Sequence, residues 1–253
     1  MVLNSFEHDG DDWDKHWAEL GSGMRNNPTR DLRHREIVSM LSNEMDTKIL
    51  DFGAGDGQLV RTLLSKGFNA TGWEQSQKGV EIANELIRQS GFVNSVFHVT
   101  DIDKREVELF DVIVLSEVLE HLDDPQETLK TLSFFLRENG CFIITVPSGP
   151  VTFFDEFIGH RRHYSRRSLN GTLKGVDLNS IVIRSVGFPI VNIVRITCMI
   201  FGKRMPQFVK KAGLKERRKP TSLIKALLYI SSLDTPLGWQ LVCKARKSNL
   251  GID

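Results

Sequence analysis

Apolar residues recur along this chain at two spacings, and the alternation between them predicts its architecture. Short apolar runs at residues 49–52, 70–73, 95–99, 111–115 and 141–146 predict buried strands. Between them, apolar positions fall at helical spacing, as with Leu59, Val60, Leu63 and Leu64 inside 58–66. Helices are likewise expected over 76–89, 125–138 and 166–174. Further strands are expected at 180–186 and 241–245. Seven strands alternating with helices imply the α/β class, a doubly wound, mostly parallel seven-stranded sheet with helices on both faces. In such sheets ligands sit beyond the carboxyl ends of the strands, where the strand order reverses.

Two regions depart from the alternation. At the N-terminus, Trp13, Trp17 and Leu20 stand at helical spacing ahead of Gly21-Ser22-Gly23, which predicts a short amphipathic helix and then a loop. That helix either covers the ligand or packs on the core. Asn27-Pro28-Thr29-Arg30 then starts a helix that turns Leu32, Ile37, Val38 and Leu41 inward and ends near Asn43, since proline suits a first helical turn. Near the other end, the apolar run 189–201 is interrupted by Arg195, a basic linker follows over 203–219, and 222–233 reads as an amphipathic helix. Neither apolar run reaches the roughly 20 residues that span a bilayer. Residues 188–238 are therefore expected as a helical insertion before the last strand, capping the substrate side or lying on a membrane surface. The core is assigned to 1–187 plus 239–253.

Charge sharpens this division. The 253-residue chain has a net charge of +1, yet residues 160–219 hold 15 Lys and Arg against two acidic residues, while the remainder holds 18 basic and 30 acidic residues. A local excess of +13 points to an anionic partner, or else to a solvated basic surface. Three cysteines with no C-x-x-C pair exclude a disulfide framework and a zinc site of that kind. Residues 1–14 are polar and acidic, unlike a signal peptide, so a cytoplasmic location, peripheral at the membrane surface if the insertion lies there, is expected.

The candidate chemistry begins at Asp51, Gly53, Ala54, Gly55 and Gly57, a strand, glycine turn and helix opening in sequence. Glycine permits positive φ and close approach of a ligand, and the N–H groups of the helix start point back at the turn. The dinucleotide fingerprint would require glycine where Gln58 stands, and the Gly-Lys-Ser/Thr of a P-loop is absent. Glu74, with Gln75 after it, ends the second strand about 20 residues on, where a carboxylate can accept both hydroxyls of a ribose. Asp101 ends the third strand, where it can take an adenine amino group, and Ile102 can pack on the ring. Ser116 ends the fourth.

The order D-x-G-x-G-x-G, Glu74, Asp101, and then Ser116-Glu117-Val118-Leu119-Glu120-His121 resembles that of the class I S-adenosylmethionine-dependent methyltransferases over residues 27–148. Within them the chain is similar to the ubiquinone-biosynthesis O-methyltransferases and to methyltransferases of glycan and lipid pathways. The resemblance implies a Rossmann-like methyltransferase fold and S-adenosyl-L-methionine as cofactor. It gives Arg30 of Asn-Pro-x-Arg the cofactor carboxylate, although counting back from the glycines selects Arg33. It also implies a divalent-cation set of Glu117, Glu120 and His121, on one helical face by spacing; helix capping explains the same letters, so the metal is left unknown. Gly159-His160-Arg161-Arg162-His163-Tyr164 resembles a Gly-His-x-Arg-x-Tyr motif of the glycan and lipid subgroup. His160 is the first choice of general base and His163 the second, since an imidazole titrates near working pH. Arg161, Arg162 and Tyr164 would hold an anionic or sugar-bearing acceptor. The alternative is a structural lid in which His160 and Tyr164 bond to backbone.

The expected function is methyl transfer, to oxygen rather than nitrogen, on a small-molecule, glycan or lipid-linked acceptor. A nucleic-acid (RNA) methyltransferase using the basic 160–219 segment, a non-catalytic cofactor-binding protein and a dehydrogenase with an eroded fingerprint are the alternatives. The acceptor and the oligomeric state are not legible.

Overall fold

The structure is a computed structural model that describes residues 13–24, 28–41, 46–99, 108–204 and 222–247. Asp101, Ile102 and most of the 203–219 linker lie outside the described residues. Seven strands form one sheet: β1 (Lys48–Phe52), β2 (Asn69–Glu74), β3 (Val96–His98), β4 (Phe110–Ser116), β5 (Leu136–Pro147), β6 (Leu178–Val186) and β7 (Gln240–Lys247). Their order is β3-β2-β1-β4-β5-β7-β6. All neighbouring pairs through β5 are parallel, and β7 runs antiparallel between β5 and β6. The chain leaves β1 toward β2 and β3, then returns to β4 on the other side. That reversal opens a crevice at the carboxyl ends of β1 and β4.

Register brings the candidate positions to one edge. Phe52 pairs with Trp73 on one side and Leu115 on the other. The residues just beyond these three, Gly53, Glu74 and Ser116, therefore share a single rim of the sheet.

The central strands bury both faces, as parallel strands covered by helices must. Leu50, Ile113 and Phe142 pack with Leu129, Leu132, Leu169 and Leu173 of α5 (Pro125–Leu132) and α7 (Arg166–Lys174). Ile49, Val112 and Ile143 pack on the opposite side with Leu59, Leu63, Ala83 and Ile87 of α3 (Gln58–Leu64) and α4 (Gln77–Gln89). The remaining helices are α1 (Trp13–Met24), α2 (Pro28–Met40), α6 (Phe153–Phe157), α8 (Ile190–Phe201) and α9 (Ser222–Ile230).

Several boundaries differ from expectation. The helix expected over 125–138 stops at Leu132; a 3-10 turn spans Ser133–Phe135, and β5 begins at Leu136, before the expected 141. The polar residues that suggested helix make an irregular strand start, with Asn139 at φ 64° and Arg137 paired to Asp111 at 2.8 Å. The expected loop Gly21-Ser22-Gly23 lies within α1. The helix expected to reach 43 ends at Met40, that over 58–66 at Leu64 and that over 222–233 at Ile230. The strand expected over 95–99 is limited to Val96–His98.

Candidate active site

A cavity of about 300 Å³ opens at the carboxyl rim of the sheet. Its floor is the glycine turn between β1 and α3. Gly53, Gly55 and Gly57 hold φ of 74°, 55° and 70°, which side-chain-bearing residues avoid. A Cβ on Gly55 would lie 2.6 Å from the Trp17 ring, and one on Gly57 would lie 2.7 Å from the Ala83 methyl. The Gly53 and Ala54 N–H groups donate to the Trp73 carbonyl at 2.8 and 3.1 Å, and so bind the turn to the end of β2. Ala54 and Gln75 also border the cavity.

Glu74 is buried beside the turn. Its Oε2 accepts from the Gly55 N–H at 2.6 Å and its Oε1 from the Ser76 N–H at 2.9 Å. Burial raises its pKa against the lowering effect of those amides. Each oxygen keeps further acceptor capacity, so a diol can still be gripped. Asp51 is fully buried one residue before the end of β1, and its Oδ1 has no hydrogen-bond partner among the described residues. Burial, then the Glu74 and Asp56 charges, raise its pKa well above the ordinary value.

Helix α1 closes this half. Asp14 accepts from the Ser76 hydroxyl at 2.5 Å and the Lys78 N–H at 3.0 Å, so α1 is fastened to the N-terminus of α4. Trp17 then lies against Gly55 and Gly79, with its indole N–H buried and unpaired among the described residues. Sequence spacing left covering and packing both open for α1; Trp17 borders the cavity.

Both candidate arginines border the cavity. Arg30 Nη1 pairs with Asp56 of the glycine turn at 3.0 Å, and its buried Nη2 has no partner among the described residues. Burial lowers its pKa, opposed by Asp56. Arg33 lies 3.8 Å from Glu117 and 3.3 Å from the Thr29 hydroxyl.

The far half of the cavity is built by the turn after β4, by α6 and by α8. Residues 117–121 form bends and turns rather than the expected helical face, with Glu117 at φ 59°. Glu117 accepts from Thr145 at 3.1 Å and from the Gln240 amide at 2.8 Å, and its oxygens are not grouped with those of Glu120 and His121. The expected trio of Glu117, Glu120 and His121 is thereby divided. Glu120, His121 and His160 instead bring ligand-type atoms within 4.8 Å of one another, as do Asp155, His160 and His163. Glu120 is fully buried, and neither of its oxygens has a hydrogen-bond partner among the described residues. Burial, then Glu117, push its pKa well up.

His160 borders the cavity and His163 does not. His160 Nδ1 lies 3.3 Å from His163 Nε2 and 3.6 Å from Asp155, and its Nε2 lies 3.9 Å from Glu120. Burial, then the imidazoles of His121 and His163 and the cations Arg195 and Arg33, push its pKa down to about 2. The expectation of a base near its ordinary pKa is corrected: His160 is neutral at working pH and weakly basic in this arrangement. Burial and Arg195 lower His163 as well. Tyr164 is also corrected. It is a core residue, 4% exposed, whose hydroxyl donates to the Leu119 carbonyl at 3.2 Å, and burial pushes its pKa up to about 12. That backbone bond is the lid alternative for Tyr164. Arg161 pairs with Asp123 and Arg162 donates to the Asp123 carbonyl at 3.3 Å, so both brace the lid at the surface.

Sequence reasoning missed the connection beneath this cluster. Arg195 of α8 donates to Asp155 at 2.7 Å and stands 3.0 Å from His163 Nε2. Asp155 also closes a capping box with Thr152. The signals were a lone arginine inside an apolar run and a Thr-x-x-Asp spacing.

A Rossmann-like sheet with the glycine turn, Glu74 and Ser116 on one rim defines a class I S-adenosylmethionine-dependent methyltransferase. The residues fit the cofactor: a side-chain-free cradle, a carboxylate with spare acceptor capacity and an arginine with an unused N–H line one cavity. The chain belongs to the methyltransferase-domain family, whose profile matches residues 24–182. It is 28% identical over 144 residues to a ubiquinone biosynthesis O-methyltransferase of Rickettsia felis, a match covering 56% of this chain and 59% of that protein. It thus spans about three-fifths of the length of that curated relative. Among solved structures, a putative sarcosine dimethylglycine methyltransferase from Galdieria sulphuraria superposes with a TM-score of 0.62 at 15% identity, covering 94% of this chain and 99% of that one. A Burkholderia thailandensis 1,6-didemethyltoxoflavin-N1-methyltransferase, with bound 1,6-didemethyltoxoflavin and S-adenosylhomocysteine, gives 0.59 at 17% identity, covering 94% and 87%.

Proposed function

We propose that this chain transfers a methyl group from S-adenosylmethionine to a hydroxyl oxygen of an amphiphilic acceptor, lipid-linked or glycan-linked and anionic. The observation that carries this reading is the His160 imidazole at the cavity wall, 3.6 Å from Asp155 and 3.9 Å from Glu120, both buried. The name of the Rickettsia relative supports oxygen as the target. The walls supplied by Phe154, Ile158, Val191, Val194 and Cys198, with Arg195 among them, suit an apolar body bearing an anionic group.

When bound, the cofactor supplies a methyl group activated by its sulfonium. The tasks of the protein are alignment, exclusion of water and removal of one proton. Gly53–Gly57 and Glu74 hold the adenosyl end, with Asp101 and Ile102 in their sequence-assigned roles. Arg30 takes the carboxylate through the N–H that Asp56 leaves unused. Trp17 and α8 exclude water. As a weak base, His160 accepts a hydrogen bond from the hydroxyl and takes its proton as methyl transfer makes that oxygen acidic, with the Asp155 carboxylate 3.6 Å away stabilising the resulting cation. On this reading residues 188–238 form the acceptor cap on a core of 1–187 plus 239–253.

Two measurements test the proposal. Calorimetry is expected to show S-adenosylhomocysteine binding and no heat with nicotinamide cofactors. With radiolabelled S-adenosylmethionine and a panel of phenolic, glycan and prenyl-linked alcohols, label is expected in a methyl ether linkage. Label found only on nitrogen, or no cofactor binding, refutes it.

A further inference from the structure

Helix α8 has two apolar faces. Val191, Val194, Arg195 and Cys198 border the cavity. Ile193, Ile196 and Ile200, offset by about half a turn, are 56%, 44% and 73% exposed. The neighbouring α6 repeats the arrangement: Phe154 borders the cavity, whereas Phe153 and Phe157 are 39% and 50% exposed. The two helices pack on each other, so the wall between cavity and solvent is one helix thick and apolar on both sides. Large side chains spread over two adjoining helices form a contiguous patch of the kind monomers seldom leave open.

Positive charge borders the same patch. Lys203, in the 3-10 turn Gly202–Arg204 that ends α8, stands over the Phe153 ring at 5.8 Å from its centre. Arg204 is exposed beside it, and residues 203–219 contain eight Lys and Arg against one acidic residue. Exposed isoleucine and phenylalanine side chains bordered by Lys203 and Arg204 suit the boundary between acyl chains and anionic headgroups. No helix among the described residues is long and apolar enough to cross a membrane, so contact here is in the plane of the surface.

We infer that the outer faces of α6 and α8, with Lys203 and Arg204, dock this protein on an anionic lipid surface. This deepens the reading of an amphiphilic acceptor and rests on it for its purpose: the docked wall is the wall the acceptor must pass. Docking itself does not need turnover.

The test is flotation of the full chain with vesicles of phosphatidylcholine alone and of phosphatidylcholine mixed with phosphatidylglycerol, at rising salt. S-adenosylhomocysteine affinity is measured in parallel as the check on the cofactor site. The wild type is expected to float with the mixed vesicles at least about tenfold better than with neutral ones, an advantage that salt erodes. Ile196→Glu/Ile200→Glu is expected to lose about tenfold or more of that partition with cofactor affinity unchanged. Lys203→Glu/Arg204→Glu, on an exposed turn that cannot unfold the core, is expected to lose the preference for anionic vesicles. Equal partition to both vesicles, or unimpaired binding by both variants, overturns the inference. So does a dimer that Ile196→Glu/Ile200→Glu splits, or retention on RNA without vesicle binding. Vesicle binding with no methyl transfer to any alcohol would leave the docking face standing and remove the proposed reaction.

Discussion

At the scale of single residues, burial decides the chemistry. Trp17 lies over Gly55, so Trp17→Ala is expected to weaken S-adenosylhomocysteine binding by about tenfold to a hundredfold, as loss of a buried aromatic side chain worth about 1.5–3 kcal/mol implies. Trp17→Phe, which keeps a ring and loses only the indole N–H, is expected to fall between; calorimetry reads both. His160 supplies a prediction about acid. Its imidazole stays neutral in the fold down to about pH 2, whereas in the unfolded chain it gains a proton near pH 6.5. The unfolded state therefore binds more protons between those values, and stability falls as pH falls through that window. His160→Gln is expected to flatten this acid limb in urea melts taken from pH 7 to pH 4. It is also expected to lower kcat by about 10²–10⁴-fold with the KM for S-adenosylmethionine unchanged. A KM change alone would leave His160 a positioning residue. Asp51 has the opposite sign: its raised pKa keeps a proton that the unfolded chain releases, so stability falls as pH rises above the ordinary carboxyl value.

At the scale of elements, long-range polar pairs fasten helices to the sheet. Arg195 of α8 and Asp155 of α6 form a buried pair at 2.7 Å. Arg195→Met is expected to cost about 3–5 kcal/mol because it leaves Asp155 buried without its cation. Arg195→Met/Asp155→Asn is expected to recover a large part of that loss, which a double-mutant cycle by urea unfolding measures. The first four strands and the helices after the first two were legible in the sequence because each is specified by local periodicity. The start of β5 was not legible. Arg137, Glu138 and Asn139 look helical locally, and only pairing of Leu136 with Phe110 and of Arg137 with Asp111 makes them strand. The single helical face that spacing of three and four suggested for Glu117, Glu120 and His121 does not form for a similar reason: residues 117–121 are bend and turn.

At the scale of the whole molecule, parallel pairing gathers distant residues on one rim. Ile113 and Ile143, on opposite faces of the sheet, are both fully buried. Either change to Ala is expected to cost about 2–5 kcal/mol in chemical unfolding and to lower cofactor affinity by disturbing that rim. The glycine turn, Glu74 and Ser116 were recognisable because each sits at the end of its own strand. The acceptor half was less so. His160 and Arg195 were visible as an unusual histidine and an interrupted apolar run, but their neighbours were not, since Asp155 and Glu120 meet them only through folding.

The sequence by itself determined the order of strands and helices, the backbone-only turn and the acid at the end of β2, because these depend on side-chain period and on the conformations glycine alone allows. Tertiary structure decided the rest: that Trp17 covers Gly55, that Tyr164 turns into the core, that Glu117 bonds Thr145 and Gln240, and that His160 is held neutral. Those outcomes depend on burial and on charges brought together from separate parts of the chain, and neither is encoded in the spacing of neighbouring residues.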